Sequence, residues 1–373
     1  MSERRLRWQR AFVFAAALSI AALSACASKP ASLGNARGGQ VTGGGESERF
    51  FKVLWTMPGS YERVKVVELI GDTLYVAGTP RGMDAINIET ARLRWKHTGR
   101  RTVDYPPTFR DGVLYILEGG QLVTLDVNTG DELSRCQTRI GSAMPLYPGQ
   151  TTWMLGGGNE YVYGVSAGTG VKAWRVRLND FVEKSLWDGA DKVFAVTGRG
   201  TLYGISLGTR AILWNFEFSR PFTGMPCLSD GTLYVGNSNY YFHAIDATSG
   251  TLKWRTLLGA PVLGTPTAAH GRVYVSTRDG ILHAVDANDG RELWKVPGPD
   301  RVITASDSRA VYLRRGDLGY RVGVLDVQKG EILGEMAANN YEWFASRPDS
   351  GTIYAVDRRG NVLALSLKNV QTP

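Results

Sequence analysis

The sequence predicts an all-β protein: an eight-bladed β-propeller of four-stranded antiparallel blades, the last blade closed by the N-terminal strand. Three observations carry that expectation. Ala-Ile-Asp-Ala-Thr-Ser-Gly-Thr-Leu-Lys-Trp at 244–254 returns as Ala-Val-Asp-Ala-Asn-Asp-Gly-Arg-Glu-Leu-Trp at 284–294, 40 residues later. A fixed period of this size is the signature of a repeat architecture. Trp55, Trp95, Trp174, Trp214, Trp254 and Trp294 share that spacing, and with rungs at Ser134 and Gly334 the ladder has eight positions. Two further columns also have eight members. One is an aromatic inside an apolar strand: Tyr75, Tyr115, Trp153, Phe194, Tyr234, Tyr274, Tyr312 and Tyr354. The other follows a branched apolar strand end: Asn87, Asp126, Ser166, Ser206, Asp246, Asp286, Asp326 and Ser366.

Each unit has the same internal order. An inner strand often carries a proline, as at Pro107, Pro145, Pro226 and Pro266. A turn such as Asp111-Gly112, Asp230-Gly231 or His270-Gly271 leads to the aromatic strand. A Gly-rich turn leads to a third strand, and a tight turn with Gly130, Gly170, Gly250, Gly290 or Gly330 leads to the Trp strand. Four short strands in each unit of ~40 residues describe a propeller blade. In the last unit the fourth strand is due where the chain stops, whereas Trp55 precedes any inner strand. The strand at 51–56 is therefore expected to complete the last blade, leaving no open edges to template aggregation.

One tryptophan per blade reads as a structural staple, each ring wedged between neighbouring blades. A ligand box would need the rings to converge, and a 40-residue period spreads them apart. The recurrent Asp reads as a turn residue that accepts from nearby backbone N–H groups.

Residues 1–25 read as a lipoprotein signal peptide. Arg4, Arg5, Arg7 and Arg10 precede a largely apolar run from Ala11 to Ala25. The run is too short for a resident membrane span but suits a secretory leader. Leu23-Ser24-Ala25-Cys26 resembles the bacterial lipobox, which implies that Cys26 becomes a lipidated N-terminus bearing acyl chains such as palmitate. Ala27 stands where an Asp would resemble an inner-membrane retention signal, so the resemblance implies a periplasm-facing outer-membrane lipoprotein. Residues 26–49 are then the lipidated Cys and a disordered Gly/Ser-rich tether, and 50–370 the propeller.

The leader carries four Arg and one Glu, so the formal charge falls from +8 to about +5 without it. A mildly basic exported body with no concentrated basic stripe excludes a nucleic-acid role. Cys136 and Cys227 fall three units apart and read as small hydrophobes rather than a disulfide.

The run Ala-x-Asp-x-x-x-Gly-x-x-x-Trp, clearest at 244–254 and 284–294, resembles the tryptophan-docking repeat of the quinoprotein (PQQ-type) propellers. Two branches of that family matter. Quinoprotein dehydrogenases are longer enzymes with PQQ and calcium. BamB lipoproteins are eight-bladed, non-enzymatic subunits of the outer-membrane β-barrel assembly machinery. Length, rung count, lipobox and tether look like the second branch. The resemblance implies a scaffold for protein–protein interaction, anchored to the membrane by lipid, monomeric outside its complex and holding no cofactor. The alternatives are a PQQ-dependent dehydrogenase and a ligand-sensing envelope propeller. Ser134 and Gly334 depart from the Trp pattern, and Ala91 and Arg210 from the turn glycine. No Leu-x-Leu-Arg stretch like that of BamB proteins is present, so no interface residue carries over.

A search for chemistry yields no catalytic, cofactor or metal residue. There is no adjacent Cys pair of the kind that dehydrogenases of this family carry, and His97, His243, His270 and His283 lack ligand spacing. Asp286-Ala-Asn-Asp289-Gly290 has the flavour of a calcium loop but lacks the later Glu and coincides with the repeat turn. No phosphate loop or nucleophile elbow occurs. What remains is surface. In a propeller the turns between strands 2 and 3 share one face with the blade-joining loops. Here they carry Arg81, Arg199, Arg278, Arg314, Arg315 and Arg358, together with Arg101, Tyr341 and Trp343. Arg mixed with aromatics is enriched at interface hot spots, and this face is the candidate docking surface for a protein partner.

Overall fold

The computed structural model describes residues 50–368, apart from 81, 139–145, 149–151, 157–158, 167–168, 189, 219 and 348–350. Every described residue belongs to the unit Gly38–Pro373. The leader, Cys26 and the tether lie outside the described residues.

The described residues form an all-β propeller of four-stranded antiparallel sheets. Strand β1 (Phe51–Met57) comes first. Sheet 1 follows, with β2 (Arg63–Ile70), β3 (Thr73–Thr79), β4 (Gly82–Asn87) and β5 (Arg92–His97). Sheet 2 has β6 (Thr108–Arg110), β7 (Val113–Glu118), β8 (Gln121–Asp126) and β9 (Glu132–Gln137). Sheet 3 has β10 (Tyr147–Pro148), β11 (Thr152–Gly156), β12 (Tyr161–Ser166) and β13 (Lys172–Arg177). Sheet 4 has β14 (Val182–Trp187), β15 (Lys192–Thr197), β16 (Thr201–Ser206) and β17 (Ala211–Glu217). Sheet 5 has β18 (Cys227–Ser229), β19 (Thr232–Gly236), β20 (Tyr241–Asp246) and β21 (Leu252–Leu257). Sheet 6 has β22 (Val262–Ala269), β23 (Arg272–Thr277), β24 (Ile281–Asp286) and β25 (Glu292–Pro297). Sheet 7 has β26 (Arg301–Ala305), β27 (Arg309–Gly316), β28 (Gly319–Asp326) and β29 (Ile332–Ala338). Sheet 8 has β30 (Tyr341–Arg347), β31 (Thr352–Asp357) and β32 (Val362–Leu367). Its fourth strand is β1, which pairs antiparallel with β32 from Phe51↔Leu367 to Met57↔Val362. The first and last strands are thus held in one sheet.

Prolines set the length of several inner strands. β6 and β18 begin just after Pro107 and Pro226 and span three residues each. Pro266 is tolerated inside β22 because the register shifts between Leu263 and Thr267, and a bulge is a place where a missing N–H costs no ladder bond. The core lies between sheets. Sheets 5 and 6, for instance, close on Tyr234, Ala244, Trp254, Val273, Val275 and Val285.

The third strand ends in the recurrent turn. Asp246 Oδ1 accepts from the backbone N–H groups of Thr248 and Ser249 at 2.9 and 2.8 Å. Those amides hold its carboxyl below the usual carboxylate range. Asp126 and Asp326 accept in the same way. The turn needs a left-handed residue, and Gly250 and Gly290 supply it at φ +73° and +76°. Ala91 and Arg210, in place of glycine, keep the same conformation at φ 54° and 61°. Sequence departures there leave the turn geometry unchanged.

Register corrects two members of the aromatic column. Tyr75, Phe194, Tyr234, Tyr274 and Tyr354 lie opposite a residue that in turn pairs with the sheet's Trp, as Tyr234 does through Ala244 to Trp254. In sheet 3 that place belongs to Met154, opposite Gly164, and Trp153 falls one residue away. In sheet 7 it belongs to Val311, and Tyr312 lies one residue off. Because strand faces alternate with period two, Tyr312 turns back toward sheet 6, packing with Tyr274 and Leu325.

Glu68, on the inner strand of sheet 1, is a carboxyl that burial pushes up to about 7. A raised carboxyl pKa means that the folded state holds its proton more tightly than the unfolded chain. Its charge costs stability as pH rises from about 4.5 to about 7, and the full cost persists above that. Glu68→Gln is expected to stabilise the protein at pH 8 by ~1–3 kcal/mol and to change little at pH 4. Urea unfolding at the two pH values checks this.

Candidate partner-binding face

The indoles link successive sheets. Trp95 Nε1 donates to the carbonyl of Val127 at 2.8 Å, Trp214 to Ala247 at 3.3 Å, Trp254 to Ala287 at 3.0 Å and Trp294 to Val327 at 2.7 Å. Trp55, from sheet 8, donates to Ile88 of sheet 1 at 3.1 Å. Each acceptor follows the turn residue of the next sheet. The rings of Trp95, Trp214, Trp254 and Trp294 then lie on the next turn glycine, so closely that a Cβ added at Gly290 would sit 2.5 Å from Trp254. Trp174 packs half-buried in the cluster of sheets 3 and 4 with Tyr147 and Tyr203.

The two rungs without Trp are filled differently. A Cβ at Gly334 would meet the ring of Phe50 at 2.7 Å, so Phe50 occupies that seam. At Ser134, Oγ pairs with Thr124 Oγ1 at 2.8 Å. Next to it the fully buried Glu118 forms an ion pair with Arg135, which also holds Glu132. Beside this seam a cavity of about 530 Å³ opens between Gln137, Thr138, Thr169 and Lys172. Cys136 and Cys227 are half-buried thiols outside any disulfide, and burial raises the pKa of each.

Backbone bonds place the turns between strands 2 and 3 at the same end as the sheet-joining segments. Gly298 N donates to Gly280 O at 2.8 Å, Phe218 N to Gly200 O at 3.0 Å, and Val64 N to Arg358 O at 2.8 Å. Arg199, Arg278 and Arg358 are exposed on this end. Arg101 is exposed too, its backbone N–H donating to Glu118 Oε1 at 3.1 Å. Arg81 lies outside the described residues. Arg314 is exposed but pairs with Glu335 at 3.6 Å. Burial pushes the Glu335 carboxyl up, but Tyr312 Oη at 2.6 Å and Arg321 Nε at 2.8 Å outweigh it and hold it below the usual range.

One expected member of the face is misplaced. Tyr341 is buried at 6% exposure, packed with Phe51, Val311, Leu313 and Met336. It opens strand β30 rather than standing in a loop, and strand alternation turns it into the core. Trp343, two residues on, is half-buried and lines a cavity of about 640 Å³ with Val67, Leu263, Arg301, Arg315 and Tyr320. The cavity draws on the inner strands of sheets 1, 6, 7 and 8. Asp300 stands at its wall and accepts from the backbone N–H of Arg315. No sequence signal marks Tyr320 as a member; β27 and β28, at eight residues each, carry it inward on a longer hairpin than in most sheets.

Among the described residues, no group of three or more His, Cys, Asp or Glu is placed to hold a metal ion. His283 is a strand residue between Glu292 at 2.7 Å and Thr277 at 3.1 Å. His243 holds the same register in sheet 5, and burial lowers its pKa to about 4. Asp286 and Asp289 accept from backbone N–H groups within the turn.

Sheets clasped by an indole at six of the eight rungs, with an Arg-rich end and a mixed polar cavity, define a β-propeller of PQQ-type repeats. The sequence matches the family described as outer membrane protein assembly factor BamB over residues 52–158, 122–219, 158–255 and 198–371, and the chain belongs to that family. Among solved structures it is similar to BamB from Moraxella catarrhalis, at 17% identity and TM-score 0.68, covering 87% of this chain and 99% of that one. It is also similar to quinohemoprotein alcohol dehydrogenase ADHIIG from Pseudomonas putida HK5, at 13% identity and TM-score 0.62, covering 87% and 77%. The computationally designed protein Ika8 matches at 15% identity and TM-score 0.67, covering 84% and 98%. At such identities these likenesses show the fold alone. No curated protein matches the sequence.

Proposed function

We propose that this chain is a non-enzymatic scaffold, a BamB-like lipoprotein facing the periplasm at the outer membrane, whose eight sheets act as one closed eight-bladed ring. Cys26 supplies the lipid anchor, 27–49 the tether, and the protein is monomeric outside its complex. Its partner is a protein, a subunit or client of the β-barrel assembly machinery. The observation that carries this reading is the row of exposed arginines, Arg199, Arg278, Arg315 and Arg358, at the end where sheets are joined. Arginine presents a planar fork of donors that suits carboxylates on a partner. Exposed charge of one sign also speeds encounter with an oppositely charged surface.

The likeness to a quinohemoprotein dehydrogenase favours a second reading, an enzyme holding PQQ in the 640 Å³ cavity. The residues do not fit that group. Two acids and two arginines share the wall, Asp300 is engaged by the Arg315 backbone, and no carboxylate cluster suited to calcium converges there among the described residues.

The test reverses charge in three successive turns: Arg278→Glu, Arg315→Glu and Arg358→Glu together. Arg314 is left alone because a glutamate there would face Glu335. Recovery of the partner with the purified protein is expected to fall at least ~10-fold while thermal unfolding stays unchanged. Unchanged recovery would contradict the reading.

A further inference from the structure

We infer that the outer edge of sheet 4, strand β17, is a second docking site, which takes an extended, apolar-centred protein segment with acidic flanks by backbone pairing. This surface is separate from the Arg-rich end and stands whether or not that end binds a partner.

An edge strand offers a row of unpaired N–H and C=O groups, and natural proteins blunt such edges with charge, above all lysine. Most other outer strands here follow that practice, and each of them carries at least one charge in its interior. β1 carries Lys52; β5 carries Arg92, Arg94 and Lys96; β9 carries Glu132 and Arg135. β13 carries Lys172, Arg175 and Arg177; β21 carries Lys253 and Arg255. β25 carries Glu292 and Lys295 and ends in a proline, and β29 carries Glu335 at its middle. β17 reads Ala-Ile-Leu-Trp-Asn-Phe-Glu, with no charge until its last residue. It closes the order β14-β15-β16-β17, so among the described residues no strand covers its outer side.

The edge is also apolar where it is open. Ile212 is 37% and Leu213 46% exposed, with Ala211 and Asn215 exposed beside them. Trp214 is buried, donating to Ala247 of the next sheet, so the strand is held firmly from behind. Uncharged as far as Glu217, β-prone and rigid, this segment has the composition that pairs with another strand.

Charge says which strand. The outer strands on either side are basic: exposed Lys172 and Arg175 in sheet 3, exposed Lys253 and Arg255 in sheet 5. Arg175 and Arg255 are held over the rings of Tyr161 and Tyr241 at 4.9 and 5.2 Å. Arg210 stands exposed just before the strand. A strand laid along β17 therefore gains most if apolar residues face Ile212 and Leu213 and carboxylates reach out to both sides. A second copy of this chain would bring the same basic flanks into apposition, which disfavours self-pairing.

The probe is a fluorescein-labelled peptide, Glu-Glu-Thr-Val-Thr-Val-Tyr-Val-Glu-Glu, titrated into the protein by anisotropy, with amide hydrogen exchange read across 211–217. Binding is expected to slow exchange in that segment and to weaken several-fold as salt rises from ~0.05 to ~0.3 M. Leu213→Lys is expected to weaken binding at least ~10-fold, and Asn215→Lys to act in the same sense with less risk to the fold. Leu133→Lys, on the already charged β9, should leave it unchanged. Protection that appears elsewhere, or binding by both sheet 4 variants as tight as that of the unaltered protein, would overturn the proposal. So would concentration-dependent dimerisation abolished by Leu213→Lys, which would assign the edge to a second copy.

Discussion

Trp254→Ala will cost the propeller ~3–5 kcal/mol, the range for deleting a large buried aromatic. The indole is 8% exposed and is packed from both directions. Tyr234 and Phe242 of its own sheet lie 5.9 Å away between centroids, and Gly290 of the next sheet lies on its far face. Its N–H also satisfies the carbonyl of Ala287 at 3.0 Å. Trp254→Phe keeps most of the apolar area but leaves that carbonyl only the longer bond from Tyr234 Oη at 3.4 Å, and should cost a smaller ~1–3 kcal/mol. Chemical denaturation of the two variants separates packing from hydrogen bonding. If alanine and phenylalanine are equally mild, the indole is not a staple between sheets.

The second large effect is expected where the ladder lacks its Trp. Arg135→Ala strands the Glu118 carboxylate, which is fully buried and otherwise bonded to the backbone N–H of Arg101. Breaking a buried ion pair from one side costs ~3–5 kcal/mol, because the remaining charge has no compensation. Arg135→Met with Glu118→Leu removes both charges together and should recover most of that loss. A double-mutant cycle measured by thermal unfolding checks both statements. An Arg135→Ala variant as stable as the wild type would show that water reaches Glu118 and that the pair does not close the seam.

Much of the fold was legible because a repeat writes the same physics many times. The turn Asp or Asn, the left-handed position after it and the ladder Trp each answer a local need, so they recur with the period. The pairing of β1 with β32 was legible for a related reason: the first Trp stood without an inner strand before it, and the last sheet lacked its fourth strand. Legibility failed where strand alternation, not period, decides. Trp153 and Tyr312 each follow the preceding column member by 38 residues instead of 40. That shortfall was the available signal that register had slipped. Tyr341 looked like a loop aromatic, but it begins β30, and the alternation of that strand buries it. The cavity beside Trp343 could not be read at all, since it gathers Val67, Leu263, Arg301 and Arg315 from sheets far apart in sequence. Likewise, no local feature of the sequence announces that Phe50 fills the gap left by Gly334; the contact depends on how β1 enters the last sheet.

The most direct measurement is to crosslink the tagged, full-length protein in intact membranes, purify it, and identify what is attached and through which of its residues. A scaffold that docks through its Arg-rich end should recover a subunit of the β-barrel assembly machinery, with crosslinks clustered near Arg278, Arg315 and Arg358. Recovery of no such subunit, together with dye-linked dehydrogenase activity when PQQ and calcium are added, would contradict the scaffold reading and favour the enzyme.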